Sequence, residues 1–347
     1  MRSLGTNTYR EIHSQPESFA AVETSFTDNR CHVDAAFAEP GPDQVIFTGC
    51  GSSYYLAGSA AHTFAAVTGR PAQAVACSDL MFFAERYIAG RRTVVVPITR
   101  DSRTTEVRRA VERVRALPGV TTLALTCDPG SAAYNDAMLV SPAAEEKSVV
   151  MTRSFSSLLY LATLLALHVA GRPLPLGQLP EAARTFIPAA DAWCDEIVGG
   201  FAHVQSYVML GQGAFTGIAA ESMNKVLEMA LAYTEAYASL EYRHGPMSAA
   251  NKDTLVLLYS QPACEPWEAE LLAQLREFRA ITAAVGENAA SVGADLHLPL
   301  PTGLDSGLSW VLPPLAISVG QLLGYHLACL KGLDADQPQH LAPAIIL

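Results

Sequence analysis

Three charged side chains in the second half of the chain have the spacing of one helical face. Glu221, Lys225 and Glu228 follow an i, i+4, i+7 pattern, which places them on the same side of a helix. A carboxylate of this kind can take a proton from carbon and return it, and a nearby cation can stabilise a developing oxyanion. Taken alone, the pattern fits an ordinary surface salt bridge equally well.

A histidine follows in a turn that contains glycine and proline. His244 lies within the segment EYRHGP, residues 241–246. Histidine titrates near neutral pH, so it can both give and accept a proton under physiological conditions. A single loop histidine is nevertheless usually only solvated, and its spacing from Glu228 does not by itself indicate a site.

Two turns rich in hydroxyl groups lie in the first half. Ser52 and Ser53 follow Gly49 and Gly51 in the segment GCGSSY. The segment ITRDSRTTE, residues 98–106, comes at the end of the next predicted strand and opens a helix. Hydroxyls and unpaired N–H groups at helix starts favour an anion such as phosphate. The alternative is that these residues only cap their helices, which is compatible with ligand binding. A dinucleotide site is weakly indicated, because Tyr54 stands where the third glycine of G-x-G-x-x-G belongs.

The elements that carry these residues occur twice in the same order. An apolar run ending in Gly-x-Gly is followed by two further apolar runs separated by helical patterns; the runs are residues 45–51, 93–96 and 122–125 in the first half and 207–213, 254–257 and 282–285 in the second. Short continuous apolar strands are typical of a parallel sheet covered on both faces. The pattern predicts two similar doubly wound α/β domains joined near residues 171–179.

Composition excludes several classes of protein. Half of the 347 residues are hydrophobic and the net charge is −11, so the chain can form large cores and lacks the basic surplus that nucleic-acid binding usually needs. We find no apolar run long enough for a membrane span, no signal-peptide pattern, and no cysteine spacing typical of zinc. We therefore expect a cytoplasmic protein with reduced thiols, no nucleic-acid or membrane partner, no metal and no cofactor.

The motifs taken together resemble the double sugar isomerase (SIS) domain family. This family includes the isomerase half of glucosamine-6-phosphate synthase and stand-alone aminosugar-phosphate deaminases and isomerases. The similarity runs nearly end to end, through Glu11-Ile12 with Gln15-Pro16, residues 49–54, 99–104, 148–155, 235–237, 243–246 and 334–338. It implies a flavodoxin-like, three-layer α/β/α fold in each half. The expected limits are an N-terminal segment at 1–28, a first SIS domain at 29–172 and a second at 180–347.

The resemblance also implies roles for individual residues. Glu228 would transfer a proton between C1 and C2 of an open sugar, His244 would open the ring, and Lys225 would assist near the reacting carbons. The groups expected around the sugar phosphate are the side chains of Ser52, Ser53, Thr99, Arg100 and Thr104, with Asp101 among them, and the backbone at Val149 and Ala342. The histidine loop of this family commonly comes from a partner subunit, which implies a homodimer with a shared site.

The sequence departs from the family pattern at three points. Asp101 and Ser102 stand where a serine and a glycine are usual, Pro343 stands where the synthase has a lysine, and a glutaminase domain is absent. The last point argues against glutamine-dependent amination. Arg100 and Arg103 flank Asp101 and either neutralise it or bind the phosphate directly.

The leading hypothesis is a phosphosugar isomerase, most simply an aminosugar-6-phosphate deaminase of the glucosamine-6-phosphate type. A fructosamine-6-phosphate deglycase shares the same chemistry with a larger amine. A noncatalytic sugar-phosphate sensor is the third hypothesis, and the presence of both Glu228 and His244 favours an enzyme over it.

Overall fold

The computed structural model describes residues 4–302 and 308–346. It divides into two compact units that interleave along the chain. What we call the first unit comprises Ser14–Glu146, Arg153–Pro180 and Ala342–Leu347, and the second unit comprises Met1–His13, Lys147–Thr152 and Glu181–Leu341. The domain limits expected from the sequence, 1–28, 29–172 and 180–347, divide the chain into consecutive segments. They do not include the short segments by which the two units interleave.

The first unit is built on a five-stranded parallel sheet. In chain order its elements are α2 (Gln15–Asn29), α3 (Cys31–Ala36), β1 (Gln44–Gly49), α4 (Ser52–Thr68), β2 (Ala72–Ala76), α5 (Cys77–Ile88), β3 (Thr93–Thr99), α6 (Thr105–Arg115), β4 (Val120–Thr126), β5 (Ala137–Val140) and α7 (Arg153–Val169). The strand order is β2-β1-β3-β4-β5.

The second unit repeats this architecture. Its elements are α1 (Thr6–His13), most of α8 (Gln178–Gly200), β6 (Ser206–Gly211), α9 (Phe215–Ala230), β7 (Tyr233–Ala238), β8 (Thr254–Tyr259), α10 (Glu265–Glu277), β9 (Ile281–Gly286), β10 (Leu296–Pro299) and α11 (Leu312–Leu330). The strand order β7-β6-β8-β9-β10 is that of the first sheet, which confirms the predicted duplication and the doubly wound fold.

Alternating side chains on each strand explain why both faces of a sheet are covered. In β1, Ile46 packs into a core cluster with residues of α5 and α6, while the ring of Phe47 lies 5.8 Å from that of Phe64 on α4. In the second sheet, Val256 and Leu258 of β8 pack into a cluster with Leu271 of α10. Continuous apolar strands therefore form where helices lie on both sides of the sheet.

Two short segments of the second unit, residues 1–13 and 147–152, are joined by hydrogen bonds near Asp336. Within the second unit, the Asp336 carboxylate accepts hydrogen bonds from the backbone N–H of Asn7, at 3.0 Å, and of Thr8, at 2.7 Å. Ser148 joins them through its hydroxyl, 2.8 Å from that of Thr8. Three motifs far apart in the sequence thus meet at one point.

Across the described residues, no helix combines the length and the apolar character that a bilayer span requires. Nor does this part of the chain bring three His, Cys, Asp or Glu side chains into an arrangement suited to a metal ion.

Candidate active site

The turn between β1 and α4 brings two serines to the carboxyl edge of the first sheet. Ser52 and Ser53 are the first residues of α4 and are buried. A Cβ at Gly49 would lie 2.5 Å from the backbone carbon of Ser53, so only glycine allows this close approach. The N-cap is Gly51, with φ +53°, and neither serine occupies the capping position that the capping interpretation requires.

The second hydroxyl turn follows β3, the neighbouring strand. Because β1 and β3 are parallel and adjacent, their following turns meet at the same edge, where the strand order reverses and open α/β sheets bind ligands. Thr99 is the last residue of β3, and its hydroxyl donates to the backbone carbonyl of Asp101 at 2.7 Å. Thr104 precedes α6, and its hydroxyl makes no capping hydrogen bond.

Asp101 is neutralised by Arg103, one of the two outcomes left open by the sequence. The carboxylate accepts a bond from the Arg103 Nε at 2.9 Å and from its backbone N–H at 2.8 Å. These hydrogen bonds hold the pKa of Asp101 below its usual value, although partial burial opposes them. Asp101 is therefore a charged, paired group in this turn.

A second carboxylate, Asp128, takes another backbone donor of the same turn. Its Oδ2 accepts from the N–H of Ser102 at 3.0 Å. A hydrogen bond from the Ser102 side chain is the largest cause that lowers the pKa of Asp128; partial burial opposes it, and the backbone N–H groups of Gly130 and Ser102 lower the pKa further. Sequence reasoning missed this residue, since it lies in the turn after β4 and no local pattern connects it to Ser102. Asp101 and Asp128 together satisfy N–H groups that an anion would otherwise use.

Arg100 points to a buried carboxylate. Its guanidinium forms an ion pair with Glu146 at 3.2 Å, and the Glu146 side chain is fully buried. A second nitrogen of Arg100 donates to the carbonyl of Pro343 at 3.2 Å. The C-terminal tail, which includes Ala342, thus lies against the turn after β3, and the carbonyl of Ile345 accepts from the N–H of Thr105 at 3.0 Å.

The charged face predicted for α9 is real, but it is buried. Lys225 Nζ lies 2.6 Å from Glu228 Oε2 and 3.2 Å from Glu221 Oε1. Lys225 and Glu221 are completely buried, whereas the Glu228 side chain is 17% exposed. A surface salt bridge is therefore excluded, and Glu228 is the member of the set that solvent or a ligand can reach.

Burial lowers the pKa of Lys225, but the two carboxylates outweigh it and raise the pKa above its usual value. Lys225 therefore stays charged beside Glu228. The other oxygen of Glu228 accepts a bond from Asn224 Nδ2 at 2.9 Å. Asn224 was not recognised in the sequence, although its i, i+4 spacing from Glu228 is a usable signal.

Packing of α11 against α9 fixes this charged set. Positions 320 and 324 of α11 are glycines, and a Cβ at Gly320 would lie 2.1 Å from Ser222 Oγ. At Gly324 it would lie 2.8 Å from the carbonyl oxygen of Lys225. The two helix backbones approach closely because these residues have no side chain.

His244 lies in an exposed loop after β7. A short 3-10 turn, Glu241–Arg243, precedes it, and its backbone N–H donates to the carbonyl of Glu241 at 3.0 Å. Gly245 follows with φ +135°, a conformation that favours glycine. The loop therefore presents the imidazole to solvent.

Glu228 and His244 lie at opposite edges of the second sheet. Glu228 is in the last turn of α9, which leads into the start of β7, whereas His244 follows the end of β7. The six residues of β7, at about 3.3 Å each, separate the start of the strand from its end by nearly 20 Å. The length of β7 therefore separates the two residues along the sheet.

The two backbone sites implied for the sugar fall in different units. Val149 belongs to the second unit, where its N–H donates to the carbonyl of Asp336 at 3.0 Å. Ala342 belongs to the first unit and is exposed.

Comparison with known proteins finds a matching domain in the first half of the chain. The family model described as "SIS domain" matches residues 41–168. A glutamine–fructose-6-phosphate aminotransferase (isomerizing) from Gloeobacter violaceus is 27% identical over 322 residues, covering 87% of this chain and 52% of the relative. The chain thus spans about half the length of the curated relatives it matches.

Solved structures agree in fold. Glucosamine-6-phosphate deaminase from Thermotoga maritima superposes with a TM-score of 0.82 at 28% identity, covering 98% of this chain and all of the other. Tagatose-6-phosphate ketose/aldose isomerase from Escherichia coli gives a TM-score of 0.86 at 23% identity, covering 99% and 96%, a likeness of fold alone. Residues 41–168 therefore match the SIS domain, and the duplicated parallel sheets agree with the fold of these solved structures.

Proposed function

We propose that this protein is a phosphosugar isomerase that transfers a proton between C1 and C2, and that its substrate is an aminosugar 6-phosphate such as glucosamine 6-phosphate. The observation that carries the proposal is the buried Glu221–Lys225–Glu228 set, in which one carboxylate alone is partly exposed. The similarity in sequence and fold to a glucosamine-6-phosphate deaminase supports the substrate class.

Glu228 is the proposed base. After the sugar ring opens, its carboxylate removes the proton from C2. The electrons of that C–H bond form the C1–C2 double bond, and the C1 carbonyl oxygen takes a proton from solvent, which gives an enolamine. Protonation at C1 gives a C2 imine, and water then adds at C2 and releases ammonia, leaving the ketose phosphate. Lys225 is buried and contacts Glu228 directly, so it acts by orienting that carboxylate.

His244 is the proposed ring-opening group, which moves a proton from the anomeric hydroxyl to the ring oxygen. Because Glu228 and His244 lie at opposite edges of one sheet, a site that uses both needs two copies of the chain. We propose a homodimer in which each site takes Glu228 from one protomer and His244 from its partner.

The phosphate is proposed to bind at the carboxyl edge of the first sheet. Ser52, Ser53, Thr99 and Thr104 provide hydroxyl groups there, and the helix starts at Ser52 and Thr105 favour an anion. Arg100 and the tail at Ala342 border this turn.

A substrate panel tests the proposal. Purified protein is incubated with glucosamine 6-phosphate, with fructose 6-phosphate plus ammonia, and with a fructosamine 6-phosphate of an amino acid, and products are followed by NMR and ammonia release. Turnover of the first compound is expected. Preference for the third would identify a deglycase instead, and no turnover of any compound would contradict the isomerase and favour a sensor.

A further inference from the structure

A buried glutamate on α10 contacts the beginning of the segment that carries His244. Glu268 and Ser239 are both completely buried, and the Ser239 hydroxyl donates to Glu268 Oε1 at 2.9 Å. Ser239 is the first residue after β7, and four residues separate it from His244. Glu268 has no part in the chemistry described above.

The same helix holds the other end of this segment. Arg243, the residue before His244, donates to the backbone carbonyl of Trp267 at 3.5 Å and lies 3.5 Å from the Glu270 carboxylate. Between these ends, the ring of Tyr242 is buried in the core cluster that includes residues of α10. Segment 239–244 is therefore fixed to α10 at its start, middle and end.

The start of the segment is also joined to the turn after β6. The backbone N–H of Ser239 donates to the carbonyl of Gly211 at 3.2 Å, and its hydroxyl lies 3.4 Å from Gln212 Oε1. Gln212 in turn accepts a bond from the Gln261 amide at 2.8 Å. Ser239 is thus the point where three elements of the sheet edge meet.

Burying a carboxyl group is costly unless its hydrogen bonds compensate. Glu268 Oε2 is buried with no hydrogen-bond partner among residues 4–302 and 308–346. A leucine or methionine at this position would fill the same volume without that cost. A glutamate at this position is understandable if its hydrogen bond to Ser239 has a role that an apolar side chain cannot fill.

We propose that Glu268 is a positioning residue for His244: by fixing Ser239, it sets where the histidine loop leaves the sheet. This inference rests on the proposed function of His244 as the ring-opening group. Because an error of about 1 Å in a reacting group can reduce rate by roughly a hundredfold, the anchor of an exposed loop has direct consequences for turnover.

The first arm of the test observes His244 directly and needs no activity. Protein labelled with ¹³C at histidine Cε1 is compared as wild type, Glu268→Ala, Ser239→Ala and Glu268→Gln, with the His244 signal assigned by its loss in His244→Asn. We expect Glu268→Ala and Ser239→Ala to shift or broaden this signal. Glu268→Gln keeps an acceptor oxygen and should restore the wild-type signal.

Glu277→Ala is the matched control, since Glu277 is an exposed carboxylate on the same helix. It should leave the His244 signal unchanged. If Glu268→Ala does not fold, Ser239→Ala decides the question, because it removes the other partner of the same bond. An unchanged His244 signal in folded Glu268→Ala or Ser239→Ala would overturn the proposal.

The second arm measures kinetics on whichever panel compound the wild type turns over. We expect kcat of Glu268→Ala to fall roughly tenfold or more while KM changes by less than about twofold, and Glu268→Gln to recover most of kcat. Equal kcat values would overturn the role in positioning. If the wild type has no activity, the proposed function fails, while the NMR arm still decides whether Glu268 fixes the loop.

Discussion

Asp101 places a negative charge where a phosphate dianion is expected, and Arg103 compensates for it. The Asp101→Ser substitution removes the ion pair and releases both the Arg103 guanidinium and its backbone N–H. We predict that this variant binds a sugar 6-phosphate as tightly as the wild type or more tightly, measured by calorimetry. The gain in binding free energy is limited to roughly 1.5–3 kcal/mol, the contribution of one charge-assisted hydrogen bond.

The chain provides a matched control at the opposite edge of the same sheet. Asp43 and Arg92 form a similar ion pair at 2.7 Å, before β1 and β3 begin. Asp43→Ser should leave affinity unchanged. Weaker phosphate binding by Asp101→Ser, or a clear preference of the wild type for the unphosphorylated sugar, would contradict a phosphate site in this turn.

Glu268 also makes folding stability depend on pH. Burial raises its pKa from 4.5 to about 7 in the folded protein, although hydrogen bonds from Ser239 and the backbone of Gln261 oppose this. The folded state therefore keeps a proton that the unfolded state loses between about pH 4.5 and 7, so this group's contribution to stability is lost as pH rises.

We predict that Glu268→Gln reduces this loss. The difference in unfolding free energy between pH 5 and pH 8 should be smaller in the variant than in the wild type by up to roughly 3 kcal/mol, measured by urea denaturation. Glu277→Gln serves as the control, since Glu277 is exposed. Parallel pH profiles for Glu268→Gln and the wild type would show that the buried carboxyl group does not titrate in this range.

At the scale of elements, the contact between α9 and α11 determines where Glu228 and Lys225 lie. Gly320→Ala places a methyl group 2.1 Å from Ser222 Oγ and 2.8 Å from its Cα, so the helices must separate. We predict a loss of roughly 1–3 kcal/mol in unfolding free energy and reduced kcat, because Lys225 shifts with its helix.

Gly58→Ala is the control for this substitution. Gly58 lies inside α4, and no atom lies within 4 Å of a Cβ at that position. Alanine there should raise stability by up to about 1 kcal/mol, since it favours the helix. Equal effects of Gly58→Ala and Gly320→Ala would mean that the close approach of α9 and α11 is unimportant.

Six of the ten strands within residues 4–302 and 308–346 were predictable from the sequence, because helices cover both of their faces and their residues are continuously apolar. The edge strand β7 was not identified as a strand, since its residues are only partly buried or exposed and lack that pattern. The edge strands β5 and β10 have four residues each, which is too short for periodicity to be read.

Site residues were predictable to a different extent. The shared face of Glu221, Lys225 and Glu228 follows from helical spacing, but its burial depends on α11, about a hundred residues further along the chain. The pairing of Arg100 with Glu146 joins residues 46 positions apart. No periodicity or turn signal reports such a contact, because tertiary packing alone creates it.

At the scale of the whole molecule, the separation of Glu228 from His244 predicts complementation between two inactive proteins. Glu228→Gln and His244→Ala each disable a shared site, but a mixed dimer combines the intact histidine of one protomer with the intact glutamate of its partner. With random exchange, about half of the dimers are mixed and half of their sites are intact.

We therefore predict recovery of about a quarter of wild-type activity after mixing under conditions of subunit exchange. Size-exclusion chromatography and native mass spectrometry verify that mixed dimers have formed, and each parent protein alone serves as the control. Confirmed mixed dimers without activity would contradict the shared site and would require each protomer to act with its own residues.

We propose that Glu228 moves a proton between C1 and C2 of a sugar phosphate. Incubation with glucosamine 6-phosphate or fructose 6-phosphate in deuterium oxide, followed by NMR, measures this transfer as isotope incorporation. We predict deuterium at C1 or C2 with the wild type, and a decrease of at least about a hundredfold with Glu228→Gln at unchanged affinity. Incorporation by Glu228→Gln at the wild-type rate, or none by the wild type with either sugar phosphate, would show that Glu228 does not transfer this proton.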